Sequence, residues 1–304
     1  TPTPSATWAS SSRAKTVGQD SISDRYKIYR RDNAMLTQDN YETMLIDKRD
    51  DGVAIVTLNR PERLNAVNAT MHHELSRFSR DADSDRDVRV VLLAGNGRAF
   101  CAGGDFGGGD AGGPAGDGGG GGGITLEEGR QIVDNLLELQ KPIVSAVQGY
   151  AMGLGATVSL LCDVVVAGPK TVFADTHVKM GIGAGDGGAV IWPLLMGVNR
   201  AKWFLMTGER VTGTDLYDMG LVNFLVDEDD QILETALEKA IQLATGPQQA
   251  IIASKVPINN FMRFVSNMVL PLSLSMEGAT MRSSDAKEAA RAFVEKRDPD
   301  FSKK

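Results

Sequence analysis

The chain has 304 residues, 42% hydrophobic and 23% charged, with a formal net charge of −7, which suits one large globular domain with appendages. The acidic balance argues against a nucleic-acid-binding face, and the lack of an apolar run of about 18 residues argues against a membrane span. Two cysteines, Cys101 and Cys162, have no metal-ligand spacing, so no metal is expected and both read as reduced core thiols of a cytoplasmic protein.

Residues 1–40 are polar and lack apolar periodicity, and they read as an extension with no fold of its own. They lack the apolar core of a secretory signal, and Asp20, Asp24 and Asp32 set them apart from an organelle transit peptide. Two short strands follow in TMLIDKRD and GVAIVTLNR, with Asp51-Gly52 as the hairpin turn. Beyond the polar loop RPERLNAVN, Asn68 or Thr70 can cap a helix over residues 71–82, which sets Leu75 and Phe78 on one face. DVRVVLLAGNG is a buried strand ending at Asn96-Gly97. RAFCAGGDF then opens the most biased stretch, with fourteen glycines between Gly103 and Gly123. It has neither the Gly-Lys-Ser/Thr ending of a phosphate loop nor a dinucleotide fingerprint opening a helix. It reads as a flexible surface insertion, with a substrate lid as the alternative.

Thr125 caps a helix over residues 126–140, with Glu127 and Glu128 in its first turn. The stretch KPIVSAVQGYAMGLGATVSLLCDVVVAGPKTVFADTHVKMGIGAGDGGAVIW organises the rest. It reads as a strand over residues 142–147, a glycine turn opening a helix, and a strand over residues 164–167. A polar loop with His177 and a glycine-rich turn with Asp186 complete it. Short helices over residues 191–198 and 202–207 come next, then a helix after Thr212 or Thr214 that stops at Gly220, and a strand. From Asp230 onward the pattern is helical, with Pro257 and Pro271 dividing or kinking it. The fold class is therefore α/β, with a strand–helix core over residues 41–230 and a C-terminal helical region over residues 231–304.

Two glycine turns follow buried strands, GGD at residues 103–105 and GLGA at residues 153–156. Each exposes backbone N–H groups with little side-chain cover. Two such donors converging on a carbonyl oxygen would stabilise an enolate or a tetrahedral oxyanion, an effect of about 2.7–4 kcal/mol per donor. His177, beside Asp175 and nine residues before Asp186, is the candidate base, since an Asp on one ring nitrogen raises the basicity of the other. A capping or surface role is the alternative for each. His72 and His73 are adjacent on a helix and face different directions, one packed and one exposed. Thr157 can hold a water or bond its own helix backbone. No nucleophile motif is present.

These residues resemble the crotonase, or enoyl-CoA hydratase/isomerase, superfamily from about Tyr41 to Phe301. The carriers are VTLNRPERLNAVN, RAFCAGGDF, the central stretch, MTGERVTG and AFVEKRDPDF. The resemblance implies a spiral of ββα turns with a C-terminal helical region, packed as trimers that pair into hexamers. It implies an acyl-CoA substrate, no cofactor beyond that coenzyme A, and no nucleic-acid or membrane partner. It sets the oxyanion hole on the amides of Gly104 and Leu154, where a glycine is usual at the second position. It assigns Arg63 and Leu64 to the CoA adenine and Lys296 to CoA phosphates, often across a subunit boundary. Ala102, Thr157 and Glu277 join them as substrate-binding positions.

The departures bear on the reaction. The two glutamates that handle water in a hydratase align with Thr157 and His177, neither a carboxylate. The order His177, Asp186, Trp192-Pro193 is similar instead to oxocamphor hydrolase, a superfamily member that cleaves a 1,3-diketone. His72 and Glu277 also match polar pocket positions there. A pocket histidine of that enzyme aligns with Leu154 and is missing, and the NRPERLNA loop, which that CoA-independent enzyme lacks, is kept. Three readings follow: an acyl-CoA enzyme with a His177–Asp186 pair, a CoA-independent diketone hydrolase, and a catalytically silent scaffold.

Overall fold

The structure, a computed structural model, describes residues 35–105 and 125–302. Residues 1–34 of the expected extension and residues 106–123 of the glycine-rich insertion lie outside the described residues. Ala34–Lys304 forms one compact unit. The packed chain starts before the expected Tyr41: Leu36 is fully buried, and its backbone N–H donates to Asp85 Oδ2 at 3.2 Å.

Strand β1 (Met44–Lys48) turns at Gly52 into β2 (Val53–Leu58), its antiparallel partner. Helix α1 (Ala69–Ser84) leads to β3 (Val90–Gly95), and α2 (Leu126–Glu138) to β4 (Ile143–Val147). Then come β5 (Tyr150–Met152), α3 (Leu154–Leu160), β6 (Val164–Ala167) and β7 (Val172–Ala174). Helices α4 (Gly188–Met196) and α5 (Val198–Thr207), strand β8 (Val211–Thr212), helix α6 (Gly213–Asp218) and strand β9 (Phe224–Leu225) complete the core. Helices α7 (Ile232–Ala244), α8 (Gln248–Thr280) and α9 (Ser284–Glu295) end the chain.

One six-stranded sheet has the order β1-β2-β3-β4-β6-β9, parallel from β2 onward, and a three-stranded sheet has the order β5-β7-β8. Both faces of the large sheet are buried. Val90 and Leu92 face one cluster with Val53, Val144 and Val166, and Val91 and Leu93 face the other. This is the period-two alternation of a strand, with apolar residues on both faces as a covered parallel sheet requires. Helix α7 covers the first face with Ile232, Ala236, Ala240 and Ala244, a four-residue repeat whose three alanines let the helix approach closely. The helical region therefore begins inside the core packing.

The helix starts follow from their caps. Asn68 accepts from the Met71 N–H and Thr125 from the Glu128 N–H, and Thr212 forms a capping box with Asp215. Pro257 and Pro271 do not divide the terminal region; both lie inside the single helix α8. A proline removes one helical hydrogen bond and crowds the preceding turn. Here tertiary contacts hold the helix: Leu270 and Leu274 enter the core, and Asn259 Nδ2 donates to Leu137 O at 3.0 Å. Strands β5, β7 and β8 have no counterpart in the sequence reading, because two or three residues carry no readable periodicity.

Candidate active site

Strands β5 and β7 run in parallel, pairing Met152 with Ala174. They therefore end together, and the segments that leave them are brought side by side. After β5 the chain turns at Gly153, with φ 51° and ψ −122°, into α3. After β7 it passes Asp175 and Thr176 and enters a short 3₁₀ turn, His177–Met180. His177 thus opens a helical turn, where a loop was expected. The Gly153 N–H donates to Ala174 O at 2.9 Å, and a Cβ on Gly153 would stand 3.4 Å from His177 Cε1. The imidazole is seated against the start of α3.

Leu154 is the first residue of α3, whose earliest helical bond is Thr157 N–H to Gly153 O. The first-turn amides have no intrahelical acceptor. The other glycine turn lies against β5: Cys101 bridges Ala151, and Gly104 bridges Val67. Gly103 O and the Asp105 N–H bond to Val67, so in this parallel pattern the N–H of Gly104 points away from Val67. A Cβ on Gly103 would reach Met152 O at 3.0 Å, which places this turn beside the end of β5.

Three acids surround His177. Asp175, fully buried, receives Nδ1 at 2.7 Å and also the His177 backbone N–H at 3.3 Å. Asp186 Oδ2 lies 3.2 Å from Nε2, and Glu277 Oε1 on α8 lies 3.9 Å from the same atom. The reading from spacing had Asp186 steady the ring; in the structure the acid on Nδ1 is Asp175 and Asp186 holds the opposite nitrogen. An Asp bonding the backbone N–H two residues on is a familiar local turn, and that signal in DTH was available in the sequence.

Burial alone would lower the imidazole pKa, but the charges of Asp186 and Asp175, with their hydrogen bonds, outweigh it and hold His177 well above its ordinary 6.5. Burial raises Glu277 to about 8, the Asp186 charge adding to the rise and His177 opposing it. At neutral pH the arrangement favours the charged imidazolium, with a protonated Glu277 beside it.

Asp175, His177 and Asp186 each present a ligating atom within 4.8 Å of the others. Each carboxylate occupies a different ring nitrogen, however, so the donor atoms diverge around the imidazole. The geometry suits proton transfer better than chelation.

The turn carrying Asp186 is threaded between these groups. A Cβ on Gly188 would collide with Asp175 Oδ2, so the close approach requires glycine. Thr157 packs its methyl against Gly187, and its hydroxyl has no hydrogen-bond partner among the described residues, contrary to a bond with its own helix. Asp186 Oδ1 is likewise buried without one. His72 is buried, with Nδ1 3.3 Å from Glu128, and burial lowers its pKa; His73 is exposed and also meets Glu128, at 2.9 Å. The pairing with Glu128 had no signal in local spacing, since 56 residues separate it from His72.

A second group forms beside the site. Arg63 ends a 3₁₀ turn, and Leu64 follows with φ 53°. Leu64 O accepts from the Ala102 N–H at 3.0 Å, and Asp105 ties the two segments through Arg60 at 3.0 Å and Arg63 at 3.8 Å. Lys296 stands apart. It follows α9 and is exposed, about 16 Å along that helix from Asp285, the residue against Gly181. A cleft of about 530 Å³ lies elsewhere, lined by Leu160, Leu161, Leu195, Ile251 and Met262.

Residues 48–304 match the model of the family described as enoyl-CoA hydratase/isomerase. A 1,2-epoxyphenylacetyl-CoA isomerase of Escherichia coli is 34% identical, over 84% of this chain and 97% of its own. A solved enoyl-CoA hydratase/isomerase from Mycobacterium paratuberculosis gives a TM-score of 0.77 at 31% identity, covering 83% of this chain and 98% of the other. A β-diketone hydrolase from the cyanobacterium Anabaena, bound to (S)-3-oxocyclohexyl acetic acid, gives 0.69 at 28% identity, covering 80% and 95%.

Proposed function

This chain belongs to the enoyl-CoA hydratase/isomerase family and has its crotonase fold, and on that footing we propose that it acts on an acyl-CoA thioester through an enolate. In this reading the amides of Gly104 and Leu154 hold the thioester oxygen as it gains charge. The observation that carries the reading is the seat of the His177 ring against Gly153, with Asp186 3.2 Å from Nε2. This supports reading the two side chains as a proton-transfer pair beside the amide at the start of α3. In this reading Asp186 takes the proton released as the enolate forms, the imidazolium supplies one to the enolate carbon, and transfer from Asp186 to Nε2 restores the pair. Arg63, Leu64 and Ala102 are the proposed CoA contacts, Thr157 and Glu277 the proposed acyl-side contacts, and Lys296 a phosphate contact made across a subunit boundary.

Titration with a saturated acyl-CoA, followed by turnover of enoyl-CoA thioesters, tests this. Binding is expected below millimolar concentration, and His177→Ala is expected to lower turnover about 10²–10⁴-fold. No binding at millimolar thioester sinks it.

A second reading is a CoA-independent hydrolase that cleaves a C–C bond of a 1,3-diketone. Its support is the His177–Asp186 contact together with the β-diketone hydrolase among the solved neighbours. Turnover of cyclic 1,3-diketones that is lost in His177→Ala, with no response to CoA thioesters, would favour it. A silent scaffold would turn over neither.

We also infer a trimer or a pair of trimers in the cytoplasm. Ile258, Phe261, Phe264, Met268, Leu272 and Met276 form an exposed apolar stripe along α8, which self-association would cover. No helix among the described residues is long and apolar enough to cross a membrane.

A further inference from the structure

We propose that Asp175 is a positioning residue of this site: it takes the Nδ1–H of His177 and thereby aims Nε2 at Asp186 and Glu277. The inference rests on the reading of His177 as the proton-transfer residue.

Three observations carry it. Asp175 is fully buried, and one of its oxygens, Oδ1, meets both Nδ1 and the backbone N–H of His177. Side chain and main chain of the histidine are thus fixed by a single atom, which removes rotation about both side-chain torsions. The other oxygen, Oδ2, is buried without a hydrogen-bond partner among the described residues and lies against Gly188. A buried carboxylate with one oxygen unmatched is costly for stability alone, so packing does not account for it and a task at the ring does. Finally, Nε2 meets both acids of the opposite wall, Asp186 and Glu277. Nε2 can release a proton toward that wall and take one back only while Nδ1 keeps its hydrogen, and a carboxylate, which accepts and never donates, enforces that state.

An asparagine at this position changes the rule, because its amide can donate to Nδ1 and stabilise the other tautomer. The decisive experiment is nitrogen-15 NMR of the His177 ring in the full chain, with Asp175→Asn and Gly188→Ala compared with wild type. Gly188→Ala keeps the Asp175 charge and displaces its carboxylate, so it decides the matter should Asp175→Asn not fold. In both variants the ring is expected to lose its protonated Nδ1 at a lower pH than wild type. Turnover is expected to fall at least tenfold with KM within about threefold, and the pH–rate profile to move with the ring titration. The other titratable groups facing the ring, Asp186 and Glu277, and those near Asp186, His72 and Cys101, are unchanged in both variants.

An unmoved ring titration and tautomer in the folded variants overturns the proposal, whatever happens to turnover. A moved ring in a protein that turns over neither thioester nor diketone upholds the positioning role and removes the functional reading.

Discussion

Gly153 lies against the imidazole of His177: a Cβ on the glycine would stand 3.4 Å from Cε1, and the glycine backbone has φ 51° and ψ −122°. Strain and proximity coincide here. One backbone position both opens α3, exposing its first amides, and supports the ring that faces them.

Gly153→Ala is therefore expected to affect stability and activity together. The backbone conformation is costly for a residue with a Cβ, by about 1–3 kcal/mol, and its relaxation would shift the first amides of α3, while the methyl itself would only touch the ring. Chemical denaturation should show the stability loss. Turnover on the substrate identified for the wild type should fall about 10²-fold, the usual effect of a displacement near 1 Å.

The acids around His177 make stability depend on pH in a defined direction. Glu277 is raised by burial and by Asp186 to about 8 from 4.5. A raised folded pKa means a contribution fully present below the unfolded value and lost as pH rises through the folded one. His177, raised well above 6.5 by Asp186 and Asp175 against the pull of burial, acts in the same direction at higher pH. Glu277→Gln should therefore match wild type near pH 4 and become the more stable of the two as pH rises to 9. The ceiling is about 5 kcal/mol. Denaturant midpoints at several pH values measure this; a gap that narrows with rising pH would contradict it.

The Arg63 guanidinium is 43% exposed and 3.8 Å from Asp105, so its removal should disturb binding more than folding. Arg63→Ala is expected to raise KM for a CoA thioester about five- to tenfold with kcat unchanged, the pattern of lost uniform binding. No change should be seen with a truncated thioester that lacks the nucleotide. A fall in kcat alone would remove Arg63 from the CoA contacts.

Lys255 pairs with Asp163 at 2.7 Å and also donates to Lys141 O at 2.7 Å. Asp163 in turn holds the N–H of Ile143 at the start of β4, 2.8 Å away. Lys255→Met should leave a partly buried acid without its cation and cost about 1–3 kcal/mol. Adding Asp163→Asn should recover part of that loss. A urea midpoint unchanged in the single variant would show that the pair contributes nothing.

Much of this molecule was legible in one dimension. The long strands Val53–Leu58, Val90–Gly95 and Ile143–Val147 are runs of branched apolar residues that both faces of a parallel sheet demand. Asn68, Thr125 and Thr212 announce their helices because a cap acts across three residues of chain. The glycine turns, His177 and Asp186 could be singled out by type and order, and the motifs that carry the family lie in contiguous stretches. All of these are local quantities.

Tertiary structure alone decided which groups meet. The pairing of Met152 with Ala174 brings Gly153 under His177, through strands of three residues that no periodicity reveals. Glu277 reaches the ring from a helix a hundred residues away, and Asp175 displaces Asp186 from Nδ1 by lying closer in the fold. The pKa of the imidazole follows from that placement, because desolvation and the charges of Asp186 and Asp175 act through space and leave no mark on the order of residues along the chain.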